Sequence, residues 1–242
     1  MKTAMLAVLC LMFGISPAVA SEAEISGFIG WESGYMFFPG YLLYEDPVVE
    51  VSAQVKWENG FGASIFHATG VDGSCFENES CGSQIIAPSI FYEKPIFSDF
   101  LIRGQLSYFS LYSLQETAGD LFEAKLRLEY RGDALGGVHP YVETNYWELL
   151  EVGGGMGLTR LGASWKKPIT KRLIVDLALD ARYDSAPFEE NGWTGYGEIG
   201  LWKPLSKHFH AGVWVKHSHE FDKFELSDRN NTVWGLGISG SF

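Results

Sequence analysis

Long hydrophobic runs are missing from most of this 242-residue chain. After the first twenty residues, no apolar stretch approaches the roughly 20 residues that a membrane-crossing helix needs. Basic charge is also scarce. Lys and Arg total 18 against 30 Asp and Glu, a net charge of −12. That balance lacks the positive footprint of nucleic-acid binding, so no nucleic-acid partner is expected. Only 20% of residues are charged while 15% are aromatic, a mix too apolar for a disordered chain. Proline is sparse at 9 and cysteine sparser at 3, whereas glycine reaches 28. A mean hydropathy of 0.00 argues against a bundle of membrane helices. It is compatible with strands that hide an apolar half by alternation.

The first twenty residues read as a secretory signal. Lys2 is the positive start, Ala4 to Gly14 the short apolar stretch, and Ala18-Val19-Ala20 the small-x-small cleavage site, with Ser21 as the mature N-terminus. Cys10 follows Leu9 rather than a small residue, which argues against a lipoprotein box. Residues 1–20 are therefore assigned to the signal peptide and 21–242 to one domain. An exported chain enters an oxidising compartment, so Cys75 and Cys81 are expected to form a local disulfide. Zinc would need further ligands, and none cluster nearby, so neither a metal nor a cofactor is expected.

The mature chain alternates with period two. Val49, Val51, Ala53, Val55 and Trp57 share one face, and Glu50, Ser52, Gln54, Lys56 and Glu58 the other. Residues 121–131 repeat the rule, with Phe122, Leu126 and Tyr130 against Glu123, Lys125, Arg127 and Glu129. Twelve such segments follow one another, at 23–33, 47–58, 61–70, 85–94, 100–112, 121–131, 138–147, 156–166, 172–183, 193–203, 208–218 and 231–242. Asn59-Gly60 is a hairpin signal, and Lys94-Pro95, Lys167-Pro168 and Lys203-Pro204 read as further tight turns. The other links are mostly longer. Short turns on one side and long loops on the other predict an all-β fold, a transmembrane antiparallel up-and-down β-barrel of 12 strands.

A soluble sandwich alternates too, but its aromatics would favour strand centres. Here Trp31, Trp57, Tyr92, Tyr108, Tyr130, Tyr146, Trp165 and Tyr183 fall mostly near strand ends on the apolar face, which suits two interfacial belts. The polar face points inward and carries nearly balanced charge. Arg103, Lys125, Arg127, Glu143, Arg160 and Asp180 are the residues expected to line a pore and set its field. Inward aromatics are Tyr141, Trp147, Tyr196, Trp202 and Trp214, able to stack on a passing ring or simply to fill space. The long loops are acidic, with Lys223 and Arg229 as their only bases, so a weak cation preference is expected at their mouth.

Twelve strands lie between a filled eight-stranded barrel and an open sixteen-stranded one. The reading is a narrow passive channel for small hydrophilic solutes. The alternative is a closed barrel whose acidic loops serve surface interaction or envelope stability. A lipid hydrolase is the third option, since His67-Ala68-Thr69 and His217-Ser218-His219 end strands. Ser218 follows its histidine directly and so takes the opposite face, and no catalytic residue is assigned.

Trp234, Leu236, Ile238 and Phe242 alternate with small residues, and the chain stops at Phe242. In this the sequence resembles the Gram-negative outer-membrane β-barrel superfamily. The resemblance implies that Phe242 is an assembly signal read by the barrel-assembly machinery. It also implies outer-membrane lipid as surroundings and the bacterial outer membrane as location. Tyr35, Gly40, Asp46, Pro47, Gly60 and Gly62 further resemble the opening of the TorF-type porins, which implies a small outer-membrane pore. Intact mass of the exported protein is expected to correspond to a chain starting at Ser21 with one disulfide. Retention of residues 1–20 would overturn the signal assignment.

Overall fold

A computed structural model describes residues 23–36, 42–71, 84–111, 120–150, 154–185, 191–222 and 230–242. The signal segment, Cys75 and Cys81 lie outside these residues. The strands are β1 (Ala23–Glu32), β2 (Tyr35–Met36), β3 (Leu42–Tyr44), β4 (Val48–Trp57), β5 (Phe61–Gly70), β6 (Gln84–Ile96) and β7 (Phe100–Leu111). They continue with β8 (Leu121–Tyr130), β9 (Val138–Leu149), β10 (Gly155–Thr170), β11 (Leu173–Ser185), β12 (Gly192–Pro204), β13 (Phe209–Glu220) and β14 (Asn231–Ser241). Twelve of them close a barrel in which each strand lies antiparallel to its chain neighbours, and β1 returns to pair with β14. The small hairpin β2–β3 stands apart from the barrel sheet.

Side-chain polarity is inverted relative to a water-soluble protein. On β8, Glu123 is 1% exposed and Leu126 is 49% exposed. Ile90, Leu179 and Val213 lie on the same apolar exterior, all exposed. Such a surface is stable only against hydrocarbon, where closure also satisfies every strand's backbone N–H and C=O. No helix among the described residues is long and apolar enough to cross a membrane; the strands do that work. The architecture is that of a membrane-spanning β-barrel.

Aromatic pairs ring the exterior near both strand ends. Trp31 meets Trp234 at 4.8 Å between ring centroids and Tyr183 meets Trp193 at 5.2 Å, both at the loop end. Phe61 meets Tyr92 at 4.7 Å and Phe100 meets Tyr130 at 5.4 Å, both at the turn end. Their amphipathic neighbours and flat rings suit the headgroup layers. The last residue finishes the seam. Phe242 N–H donates to the Ile25 carbonyl (2.8 Å), Ile25 N–H donates to the Phe242 carbonyl (3.0 Å), and the Phe242 ring stacks on His208.

The Asn59-Gly60 hairpin forms as its sequence demands. Gly60 has φ +90°, and a Cβ there would meet the Glu93 carbonyl oxygen at 2.3 Å. The Lys-Pro pairs behave differently from the expected turns. Pro95, Pro168 and Pro204 end strands in register with Leu101, Ile174 and His210, and the chain reverses only after them. A proline at a strand end loses little, because the ladder stops there anyway.

Leu126→Arg places a charge on the lipid face at mid-strand. It is expected to lower stability by about 2–4 kcal/mol, read by urea unfolding of the protein in lipid vesicles. An unchanged midpoint would mean that this face does not meet hydrocarbon.

Candidate functional site

The inner wall is a continuous polar network. Odd positions of β7, β8 and β9 and even positions of β10 and β11 point inward, so adjacent strands bring their charges side by side. Arg103 on β7 reaches Glu93 on β6 at 3.7 Å, and Glu93 also binds Lys56 on β4 at 3.0 Å. Arg127 on β8 pairs with Glu129 at 2.7 Å and with Glu143 on β9 at 3.5 Å. Arg160 on β10 bridges Glu143 (2.8 Å) and Asp180 on β11 (2.7 Å). Arg182 approaches Asp180 from the other side at 2.5 Å, and the Tyr141 hydroxyl donates to Asp180 at 2.9 Å. Lys125 lies 3.7 Å from Glu123, which also accepts from Asn145 Nδ2 and Trp147 Nε1.

The six pore-lining candidates thus all stand on the inner wall, and five of them, Arg103, Arg127, Glu143, Arg160, Asp180, belong to one chain of charges linked through shared partners or adjacent register. Every inward Lys or Arg among the described residues has a carboxylate within 3.7 Å. Guanidinium groups also lie over rings, Arg127 at 3.7 Å from Tyr141, Arg182 at 3.8 Å from Tyr196 and Arg103 at 4.1 Å from Phe91. These stacks hold the planar groups against the wall while carboxylates satisfy their edges. On the opposite arc, Glu32 accepts from Trp214 Nε1 (2.6 Å) and from Lys216 Nζ. A cavity of about 390 Å³ opens on this wall, lined by Glu93, Arg103, Lys125, Arg127, Arg131 and Glu143 among others.

The two ends of the lumen differ. At the turn end the inner side chains are solvated, with Lys166 61% and its partner Asp176 36% exposed. At the loop end they are buried. An apolar cluster of Val48, Ile85, Phe109, Leu121, Trp147 and Leu158 spans β4 to β10 there, and Tyr35 of the β2–β3 hairpin packs on it against Phe66 at 6.1 Å. The remaining arc of the same end presents Asp184, Thr194 and Ser218, all buried.

Sequence reading placed Asp184 and Glu220 in loops, whereas both end barrel strands. The even parity of Asp180 and Arg182 carries on to Asp184 and was a usable signal. Phe28 was also missed as an inward ring, although it shares parity with Glu32. The His217-Ser218 pairing weighed for a hydrolase does not form. His217 is exposed on the lipid side and its Nδ1 lies 2.9 Å from Thr232 Oγ1, while Ser218 is fully buried on the inner side. The histidine and serine of that motif therefore do not face each other. Among the described residues, no group of three or more His, Cys, Asp or Glu could hold a metal ion.

No family model matches this chain, and no curated protein matches it. Solved structures do resemble it. One is a KdgM porin in complex with disordered oligogalacturonate, with a TM-score of 0.58 at 13% identity over 90% of this chain and 99% of that one. The NanC porin gives 0.57 at 11% identity, over 89% and 98%. The translocator domain of the autotransporter NalP from Neisseria meningitidis gives 0.51 at 9% identity, over 99% and 97%. The fold is that of an outer-membrane β-barrel. At such identities the likeness extends to the barrel and not to a solute.

Arg160→Met leaves Glu143 and Asp180 each short of a partner inside the barrel. It is expected to cost about 3–5 kcal/mol, measured by equilibrium unfolding in detergent. A loss below about 1 kcal/mol would show that water, rather than Arg160, balances those carboxylates.

Proposed function

We propose that the protein is a narrow passive channel through which small hydrophilic solutes diffuse across the outer membrane. The observation that carries this reading is the inner wall itself: a polar, ion-paired surface beside a cavity of about 390 Å³. A barrel built only to be filled would need no such cavity. The barrel shared with the KdgM and NanC porins supports the same reading, as does the resemblance of residues 34–70 to TorF-type porins. In this channel Arg103, Lys125, Arg127, Glu143, Arg160 and Asp180 set the transverse field. Because each base is paired, the wall presents alternating signs instead of a track of one sign. Selectivity by charge then falls to the mouth, where Glu45 and Asp46 are exposed. Of the other acids assigned to the loops, Asp120, Glu148, Asp184, Glu220 and Asp222 are described, whereas Asp72, Glu77, Glu79, Glu116, Glu151, Glu189, Glu190, Glu225 and Asp228 lie outside the described residues. An acidic mouth concentrates cations within about 8 Å at physiological salt, so a weak cation preference follows.

A second reading is favoured by the apolar cluster at the loop end. A barrel stoppered by Trp147, Ile85 and Leu121 would conduct nothing and would act through its acidic loops. In the channel reading, solute passes instead along the arc of Asp184, Thr194 and Ser218. Phe242 is proposed as the assembly signal, consistent with its place at the seam.

Single-channel recording of refolded protein in a planar bilayer, with a salt gradient, separates the readings. Discrete steps with a cation-selective reversal potential are expected. Steps without selectivity would remove the mouth argument and keep the pore. A silent bilayer, with folding confirmed by heat-modifiable migration, would establish the closed barrel.

A further inference from the structure

Three inward rings form a feature that the proposed channel does not use. Trp202 on β12, Trp214 on β13 and Phe28 on β1 lie on one arc of the lumen, none of them part of the apolar cluster at the loop end. The indoles of Trp202 and Trp214 are 5.7 Å apart between centroids and nearly parallel at 12°. Phe28 sits 5.4 Å from Trp214 and 6.5 Å from Trp202. The rings lie flat because glycines underlie them. A Cβ at Gly212 would meet the Trp202 ring at 2.4 Å, one at Gly235 would meet Trp214 at 2.5 Å, and one at Gly30 would meet Phe28 at 2.4 Å. Glycine within a strand costs stability relative to alanine. Rings meant to fill the lumen would stand out from the wall and need no such hollows. Here the glycines let large rings lie against the wall: Trp214 is buried between its neighbours, while Trp202 and Phe28 keep part of their surface exposed.

The chemistry around the rings is specific. Lys166 and Asp176 form a solvated pair at 3.1 Å beside Trp202, with Lys166 Nζ 6.0 Å from that ring. At the inner end of the arc, Trp214 Nε1 donates to Glu32, which also binds Lys216. Further along β12, the Tyr196 hydroxyl donates to Glu198 at 2.9 Å. A flat apolar surface bordered by donors and acceptors of both signs matches a pyranose. Its C–H face lies on a ring while its hydroxyls bond to the flanking charges. The carboxylates Glu32, Asp176 and Glu198 disfavour an anionic ring.

We propose that Trp202 and Phe28, backed by the buried Trp214, form a stacking track for a neutral saccharide, reached from the turn end of the barrel. The proposal rests on the channel reading for its purpose, but binding can be measured without conduction. Maltohexaose is titrated into refolded protein in detergent, with saturation-transfer NMR reporting contact. The same sugar is added to the planar bilayer, where it should interrupt the open-channel current. Oligogalacturonate and a polyethylene glycol of similar size serve as anionic and non-stacking comparisons.

Wild-type protein is expected to bind maltohexaose and to show sugar-dependent current interruptions. Oligogalacturonate and polyethylene glycol should produce neither. Trp202→Leu should weaken binding about tenfold, the order expected for loss of one ring stack, while Trp202→Phe retains most of it. Trp234→Phe, on the lipid face, should bind like wild type. Folding of each variant is verified by heat-modifiable migration. Should Trp202→Leu not fold, Gly212→Val, which drives a side chain into the space of that ring, gives the same readout. Binding without conductance would uphold the track and remove the channel. Conductance without maltohexaose binding, or binding equal in Trp202→Leu and wild type, would overturn the track and leave the channel standing.

Discussion

Closure of the sheet is the constraint on which the rest depends. In hydrocarbon an unpaired strand edge leaves a row of N–H and C=O groups with no partner, each costing several kcal/mol. The chain avoids this by returning β14 to β1 in an unbroken register from Ser26–Ser241 to Glu32–Gly235. Phe242 adds two further backbone bonds to Ile25 at the same seam. Closure fixes the parity of every strand at once, because a one-residue slip would turn the charged face toward lipid. The apolar exterior and the charged interior are therefore two consequences of one register.

Once the charges are inside, they must neutralise one another. Taking a lone guanidinium or carboxylate out of water is expensive, and pairing recovers that cost only with good geometry and shared hydrogen bonds. The barrel meets this by bridging. Arg160 holds two acids on neighbouring strands, and Asp180 holds Arg160, Arg182 and the Tyr141 hydroxyl. Such sharing joins strands β8 to β11 across their inner faces, in addition to their backbone ladders. It also removes any one-signed strip from the wall. In the proposed channel, a solute moving along it would meet alternating charge, a setting more suited to neutral or zwitterionic molecules than to a polyanion.

The lumen is graded from end to end. At the turn end Lys166 and Asp176 are solvated, and the aromatic arc lies close by. At the loop end Trp147 and its neighbours exclude water on one arc, and the small hairpin carrying Tyr35 leans on them. The narrowing thus lies at the end where the chain has its long connections. On the other arc, glycines at 212 and 235 accept the Trp202 and Trp214 rings against the wall.

Much of this was legible in the residue order. Period-two alternation in Val49–Glu58 and in 121–131 determines strand, face and polarity, since a strand sends successive side chains to opposite sides. The placement of Arg103, Lys125, Arg127, Glu143, Arg160 and Asp180 on one face follows from that parity alone. Asn59-Gly60 announces its turn because only glycine accepts φ +90° there without strain. Other features depended on pairing between strands, which parity does not specify. That Arg160 meets both Glu143 and Asp180 depends on the register of three strands. That Phe28 joins Trp202 and Trp214 depends on barrel closure, which brings residue 28 beside residues more than 170 positions away. The Lys-Pro pairs ended strands instead of turning because proline's missing N–H matters only where a ladder continues. Local sequence determined which way each side chain points; only the closed tertiary structure decided which neighbours it finds, because register is a property of pairs of strands and not of either one.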